Sequence, residues 1–506
     1  MRHLWIITAA CEVVLPSTGI RAAEMNYDRT VAQIEKEVDE HLSAANQLLE
    51  QVLAVKGERT IANTLEPANE LQLHLDNGSQ VCGLFSQVHP DKAVRDTADL
   101  GDQRVQKFRT DLSLNRPLYD AYRAIDVSKA DGDVRRLMFK TLRDFRRAGV
   151  DRDDATREKI KALREELVKL GQQFSNNIRD DVRRVQFDSV TDLEGLPEDF
   201  IKGHAPGEDG KITLTTDYPD YIPFMSYAKS GPARHKLYMA YRNRAYPVNI
   251  AVLDQLLAKR YELAKLLGYQ DYAVYITEDK MIKTATAVTD FIERIARMAE
   301  GPAAADMAEL LAAKRLDDPK ATKVADDEKT YYEERVKAAK YSFDSQKARG
   351  YFEFDRVRQG LFDVTARLFG IEFRPVKEVK LWHPDVTCWD VYDGERYVGR
   401  FMLDLHPREG KYKHAACFTY QTGIEGKQTP IYVLVCNFPD PRSSSGPALL
   451  PHTEVVTFFH EFGHLLHGLF SGHHRWIDIS GMSTEWDFVE APSQMLEEWP
   501  WDIKTL

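Results

Sequence analysis

Apolar residues recur at steps of three and four through most of the chain up to about Gly370, and at steps of two or in unbroken runs beyond Ile371. The first pattern predicts helices and the second predicts strands. Ile160, Leu163, Leu167, Leu170, Phe174, Ile178 and Val182 form one stripe, with charges on the other faces, and predict an amphipathic helix running through Val182. Leu253, Leu256, Leu257, Ala264 and Leu267 predict another, stopped at Gly268. Such leucine stripes are read as core faces rather than zippers. The stretch 203–220, rich in Gly and Pro, reads as a loop holding a short strand at 211–214. Further on, 389–392 and 396–401 flank Asp393-Gly394, a hairpin signal, and 431–435 reads as a buried strand. The expectation is a mainly α chain with a small β-sheet next to an apolar helix at 454–467. The chain shows neither an internal repeat nor a low-complexity linker.

Composition narrows the class. A chain of 506 residues that is 43% apolar can bury a sizeable core, as two or three domains or one large two-lobed one. A net charge of −11 argues against nucleic acid or anionic membrane surfaces as partners. No run of 18 or more apolar residues predicts a membrane span. Cys11, Cys82, Cys388, Cys417 and Cys436 are scattered without a C-x-x-C pair, so free thiols are expected. Residues 1–24 read equally as a signal peptide and as a disordered N-terminus: Arg2 and His3 precede an apolar run, but Glu12 interrupts it and Arg21 sits badly for cleavage. The expected location is soluble, either cytoplasmic or, if that leader acts, exported to a periplasm or beyond.

The candidate chemistry lies at 460–464, His460-Glu461-Phe462-Gly463-His464. Residues four apart share a helix face, so His460 and His464 can hold one metal ion. Two neutral imidazoles suit zinc, which takes nitrogen ligands at about 2.0–2.1 Å in a tetrahedral set. Glu461, one step round, can take a proton from a water on that metal. The implied class is a zinc-dependent hydrolase, foremost a peptidase. His467 lies near the same face, but pairing it with His464 would leave no glutamate in the base position. It is read as packing, or as supporting a ligand by a hydrogen bond. The continuation H-E-x-x-H-x-x-G-x-x-H is absent, since 467 is His and 470 is Phe, which argues against a third histidine at that spacing. Gly463 costs a helix about 1 kcal/mol against Ala, which suggests a close packing or ligand constraint. His473 and His474, in a Gly-flanked turn, are expected to be solvated.

A carboxylate should complete the ligand set. Asp478, Glu485, Asp487, Glu490, Glu497, Glu498 and Asp502 all follow, and spacing alone does not choose among them. Glu490 is best placed, on the apolar stretch 486–492, where a buried carboxylate needs a cation to neutralise it. Asp487 can accept an N–H from a ligating histidine or cap a helix. A sheet edge beside such a site could hold an extended peptide by main-chain hydrogen bonds. The loop 439–451 is read as a surface connection in preference to a mobile flap.

The block from Phe459 to His464, followed by Asp487-Phe488-Val489-Glu490-Ala491-Pro492-Ser493-Gln494-Met495-Leu496-Glu497, resembles the zinc site of the thimet oligopeptidase family of metallopeptidases. Upstream, 233–238, Ala245-Tyr246-Pro247 and Leu266-Leu267-Gly268-Tyr269 are similar as well, so the resemblance runs over more than half the chain. It implies one zinc ion bound by His460, His464 and Glu490, with Glu461 as general base. It also implies a mostly helical, two-lobed fold with a deep channel, acting on internal bonds of short peptides. Family members continue past the third ligand into a His-, Gly- and Tyr-rich stretch that contacts substrate, whereas this sequence stops at Leu506. The expectation is a C-terminally incomplete peptidase, with an inactive zinc- and peptide-binding form as the alternative. The expected organisation is an N-terminal helical region at 25–228 and a peptidase region at 229–506, with the zinc site at 452–498.

Overall fold

The computed structural model describes residues 25–442 and 447–502. The leader reading at 1–24, Cys11, and the 443–446 part of the 439–451 loop lie outside the described residues. The described residues are mainly α, with one five-stranded sheet and two two-stranded ones among them. Helices Val31–Ala54, Glu66–Val88 and Lys92–Ser113 pack on one another, and the second also covers the strand Ala416–Gln421.

The five-stranded sheet runs in the order Glu372–Pro375, Thr387–Asp393, Arg396–Asp404, Ile431–Val435, Ala416–Gln421. Neighbours are antiparallel except Arg396–Asp404 and Ile431–Val435, which are parallel. The hairpin expected at Asp393-Gly394 is present: Asp393 stands opposite Arg396, and Gly394 takes φ +60, the left-handed region that short hairpin turns require.

Side-chain alternation explains why the central strands are apolar throughout. Met402, Val433 and Val435 face the core made with the N-terminal helices. Phe401, Leu403, Tyr432 and Leu434 face the opposite core, which includes the helix His452–Ser471. A sheet covered on both faces needs no polar side. The N-terminal helices therefore lie on one face of the sheet and the H-E-x-x-H helix on the other.

Two elements depart from the sequence pattern or refine it. The helix Asp154–Asp180 ends before Val182, because Arg184–Phe187 enters a strand paired with Ile212–Thr215. The chain must turn at Asp181, so the apolar stripe outlasts the helix. Val248–Leu266 is closed by Leu267 and by Gly268 at φ +85, as its stop signal indicates. Cys82, Cys388, Cys417 and Cys436 are free. No helix among the described residues is long and apolar enough to cross a membrane.

Candidate metal centre

Val455, Phe458, Phe459, Phe462, Leu465, Leu466 and Leu469 tie the helix His452–Ser471 into the core. His460 and His464 occupy the partly open face that remains. Their ring centroids are 5.0 Å apart and their planes stand at 81°. The helix Glu490–Glu497 packs against this face. Gly463 permits the approach: a Cβ there would lie 2.6 Å from Ser493 Cα, closer than any real side chain tolerates.

That packing delivers the Glu490 carboxylate. Its Oε2 is 3.2 Å from His460 Nε2 and 3.0 Å from His464 Nε2. Ser493 Oγ lies 3.0 Å from the same Oε2 and 2.9 Å from the Glu490 carbonyl oxygen, within donating distance of both. On the far side of the first ring, His460 Nδ1 is 2.6 Å from Glu497 Oε1. Glu490 and Glu497 are seven residues apart, two turns of one helix face, which is how both reach the same imidazole. That spacing is the signal the sequence holds for Glu497, one of the downstream acids that spacing from the histidines alone does not distinguish.

Burial pulls the His464 pKa down, with the Glu490 charge opposing it, so the neutral ring is favoured. Glu461 is 8% exposed. Burial pushes its carboxyl up to about 7; the His460 charge opposes this, the Glu490 charge adds to it, and the Cys417 backbone N–H opposes it. Cys417 belongs to Ala416–Gln421, an outer strand of the sheet.

The donor set has the dimensions of a metal site. Three donors at about 2.0–2.1 Å from a tetrahedral zinc stand roughly 3.3 Å apart. The two Nε2–Oε2 separations match this, and all three donor atoms lie within 4.8 Å of one another. The His460, His464 and Glu490 group can therefore hold a metal ion.

Several expectations need correction. Asp487 neither contacts a ligating histidine nor caps the following helix. Its carboxylate accepts the backbone N–H groups of Met281 and Ile282, and Val489 is the N-cap, without a side-chain cap bond. The stretch 486–492 is not buried: Trp486 is 76% exposed and the Glu490 side chain 54%. Geometry, not burial, singles out Glu490, because the segment crosses the surface before the helix begins. Glu485 turns to Arg136 at 2.6 Å. His467 keeps its Nδ1 buried without a hydrogen-bond partner among the described residues, consistent with packing. His474 is exposed, but His473 is half-buried with a sequestered Nε2 rather than solvated.

The sequence profile of peptidase family M3 matches residues 224–506. A thimet-like oligopeptidase of Dictyostelium discoideum is 30% identical over 96% of this chain and 75% of its own length. An oligopeptidase A of Escherichia coli (strain K12) is 31% identical over 93% of this chain and 72% of its own. A solved structure assigned to oligoendopeptidase F shares the fold at a TM-score of 0.50, with 15% identity, covering 94% of this chain and 68% of that one. On this sequence evidence, the chain belongs to peptidase family M3.

Proposed function

We propose that this chain is a zinc metallopeptidase that hydrolyses internal peptide bonds of short oligopeptides. The observation that carries the reading is the convergence of His460 Nε2 and His464 Nε2 on Glu490 Oε2, with Glu461 between the two histidines on the same helix turn. His460, His464 and Glu490 would hold the ion. When bound, zinc supplies a Lewis acid and lowers the pKa of a water to about 7. Glu461 accepts the proton of the attacking water and returns it to the leaving amide nitrogen. Its low exposure and raised pKa suit a group that must take up and release a proton near neutrality. Glu497 holds the His460 ring through Nδ1, leaving Nε2 directed at Glu490.

The substrate class follows from two supports. Relatives bear the names thimet-like oligopeptidase and oligopeptidase A. Ala416–Gln421 is an edge strand that carries the Cys417 N–H facing Glu461, so an extended peptide laid along it would bring its backbone beside the base. Main-chain pairing of this kind gives affinity with little side-chain preference.

The test is metal analysis of the purified chain together with cleavage of an internally quenched peptide, with and without a chelator. The expected result is about one zinc per chain and cleavage that the chelator abolishes and added zinc restores. Cleavage indifferent to the chelator would sink the reading.

A further inference from the structure

The geometry points to Asp487 as a positioning residue that fixes the segment carrying Glu490 by clasping a turn from a distant part of the chain. This rests on the zinc reading above. Glu490 is the first residue of an eight-residue helix, and what precedes it is irregular except for the short turn Ile477–Ile479. The early part of that segment is held: Gly481 N–H donates to the Ser471 carbonyl at 2.9 Å, and Ser480 Oγ to the Gly423 carbonyl at 2.6 Å. Met482 still packs against the core, but from Ser483 to Phe488 packing does little, since Trp486 is 76% and Phe488 44% exposed. The Arg136–Glu485 pair is a surface ion pair, of a kind worth little, and the Lys140 contact to the Ser483 carbonyl is long at 3.4 Å.

Asp487 supplies the remaining hold. Its Oδ1 accepts Met281 N–H at 2.9 Å and its Oδ2 accepts Ile282 N–H at 3.0 Å, across 206 and 205 residues of sequence. Asp487 is itself exposed, but hydrogen bonds to an ionised carboxylate are about twice as strong as neutral ones, and it makes two, to consecutive N–H groups. The receiving turn is built for this. Lys283 has φ +69, a left-handed conformation costing a non-glycine residue roughly 1–2 kcal/mol. Thr284 N–H folds back to the Ile282 carbonyl at 2.9 Å, while its hydroxyl caps the long helix Ala285–Asp317. Consecutive N–H groups presented by a tight turn form an anion-binding concavity, and Asp487 is the anion that occupies it. The clasp thus ties the placement of Glu490 to the helix Ala285–Asp317.

The experiment is zinc affinity by chelator competition on the full chain, for wild type, Asp487→Ala and Asp487→Asn, with thermal unfolding of the metal-free forms recorded alongside. Loss of a group hydrogen-bonded directly to a metal ligand typically costs 10–100-fold in affinity, and Asp487 acts on Glu490 one step further out, through the backbone. We expect the low end of that range, about tenfold, for Asp487→Ala and a smaller loss for Asp487→Asn, whose amide oxygen can still accept one N–H. A merely structural aspartate would lower the unfolding temperature and leave zinc affinity unchanged. That result would overturn the proposal while leaving the zinc reading intact. A wild-type chain that takes up no zinc would overturn both.

Discussion

His460 Nδ1 lies 2.6 Å from Glu497 Oε1, on the side of the ring opposite the Nε2 that faces Glu490. A carboxylate on Nδ1 keeps the proton there, so the Nε2 lone pair is free to coordinate, and it makes the ring a better donor. Glu497→Ala is therefore expected to weaken zinc binding by about 10–100-fold, and Glu497→Gln by less, because its amide oxygen can still accept the N–H. Chelator competition measures both. Equal affinities in all three proteins would show that Glu497 is a bystander.

Gly463 is where helix propensity and packing disagree. Alanine would gain the helix about 1 kcal/mol, yet its Cβ would press on Ser493 Cα at 2.6 Å, a backbone atom that cannot swing away. Overpacking of this kind costs about 1–3 kcal/mol, and here it would displace the helix that presents Glu490. Gly463→Ala should lower both the unfolding temperature and the zinc content. Gly171, inside the helix Asp154–Asp180, has nothing within 4 Å of its missing Cβ, so Gly171→Ala should raise the unfolding temperature slightly. The pair of variants separates the two effects in one protein.

What could be read from the sequence was local. His460 and His464 are four apart on one helix, so their shared face follows from helix geometry alone. The hairpin at Asp393-Gly394 and the run Ile431–Val435 were legible for the same reason. The strand order was not: Ile431–Val435 inserts between Arg396–Asp404 and Ala416–Gln421, and only tertiary packing decides that. Asp487 was misread because its partners lie 206 and 205 residues away, beyond the reach of any local pattern. At Val182 the apolar period continues up to the point where strand pairing takes over at Arg184, so the pattern extends the helix too far. Spacing did not choose Glu490 among the downstream acids, and burial, the argument that favoured it, does not hold at 54% exposure.

Binding and turnover should separate cleanly at the H-E-x-x-H helix. Glu461→Gln keeps the shape of the side chain but cannot accept a proton, and a general base typically contributes about 10²–10⁴-fold. The variant should lose activity by about that factor while retaining zinc. His460→Ala removes a donor atom and should lose the ion on dialysis. Metal analysis and peptide cleavage on the same samples decide the matter. A fully active Glu461→Gln would remove Glu461 from the mechanism.

Glu454, in the first turn of the same helix, gives the chain a pH dependence of known sign. Its Oε2 is buried and has no hydrogen-bond partner among the described residues. Burial pushes its carboxyl up to about 8, with the Arg349 charge pulling the other way. In the unfolded chain a glutamate titrates at about 4.3, so between there and about 8 the folded state holds a proton that the unfolded state has lost. Stability from this group is therefore complete below the unfolded pKa, falls as pH rises through the window, and levels off above the folded pKa. The slope can reach about 1.4 kcal/mol per pH unit. Glu454→Gln fixes the neutral form, so its stability relative to wild type should grow between about pH 5 and about pH 8. Denaturant unfolding of the metal-free proteins across that range measures the difference, and groups common to both cancel. Parallel curves would mean that Glu454 finds solvent or a partner in the folded chain and stays ionised.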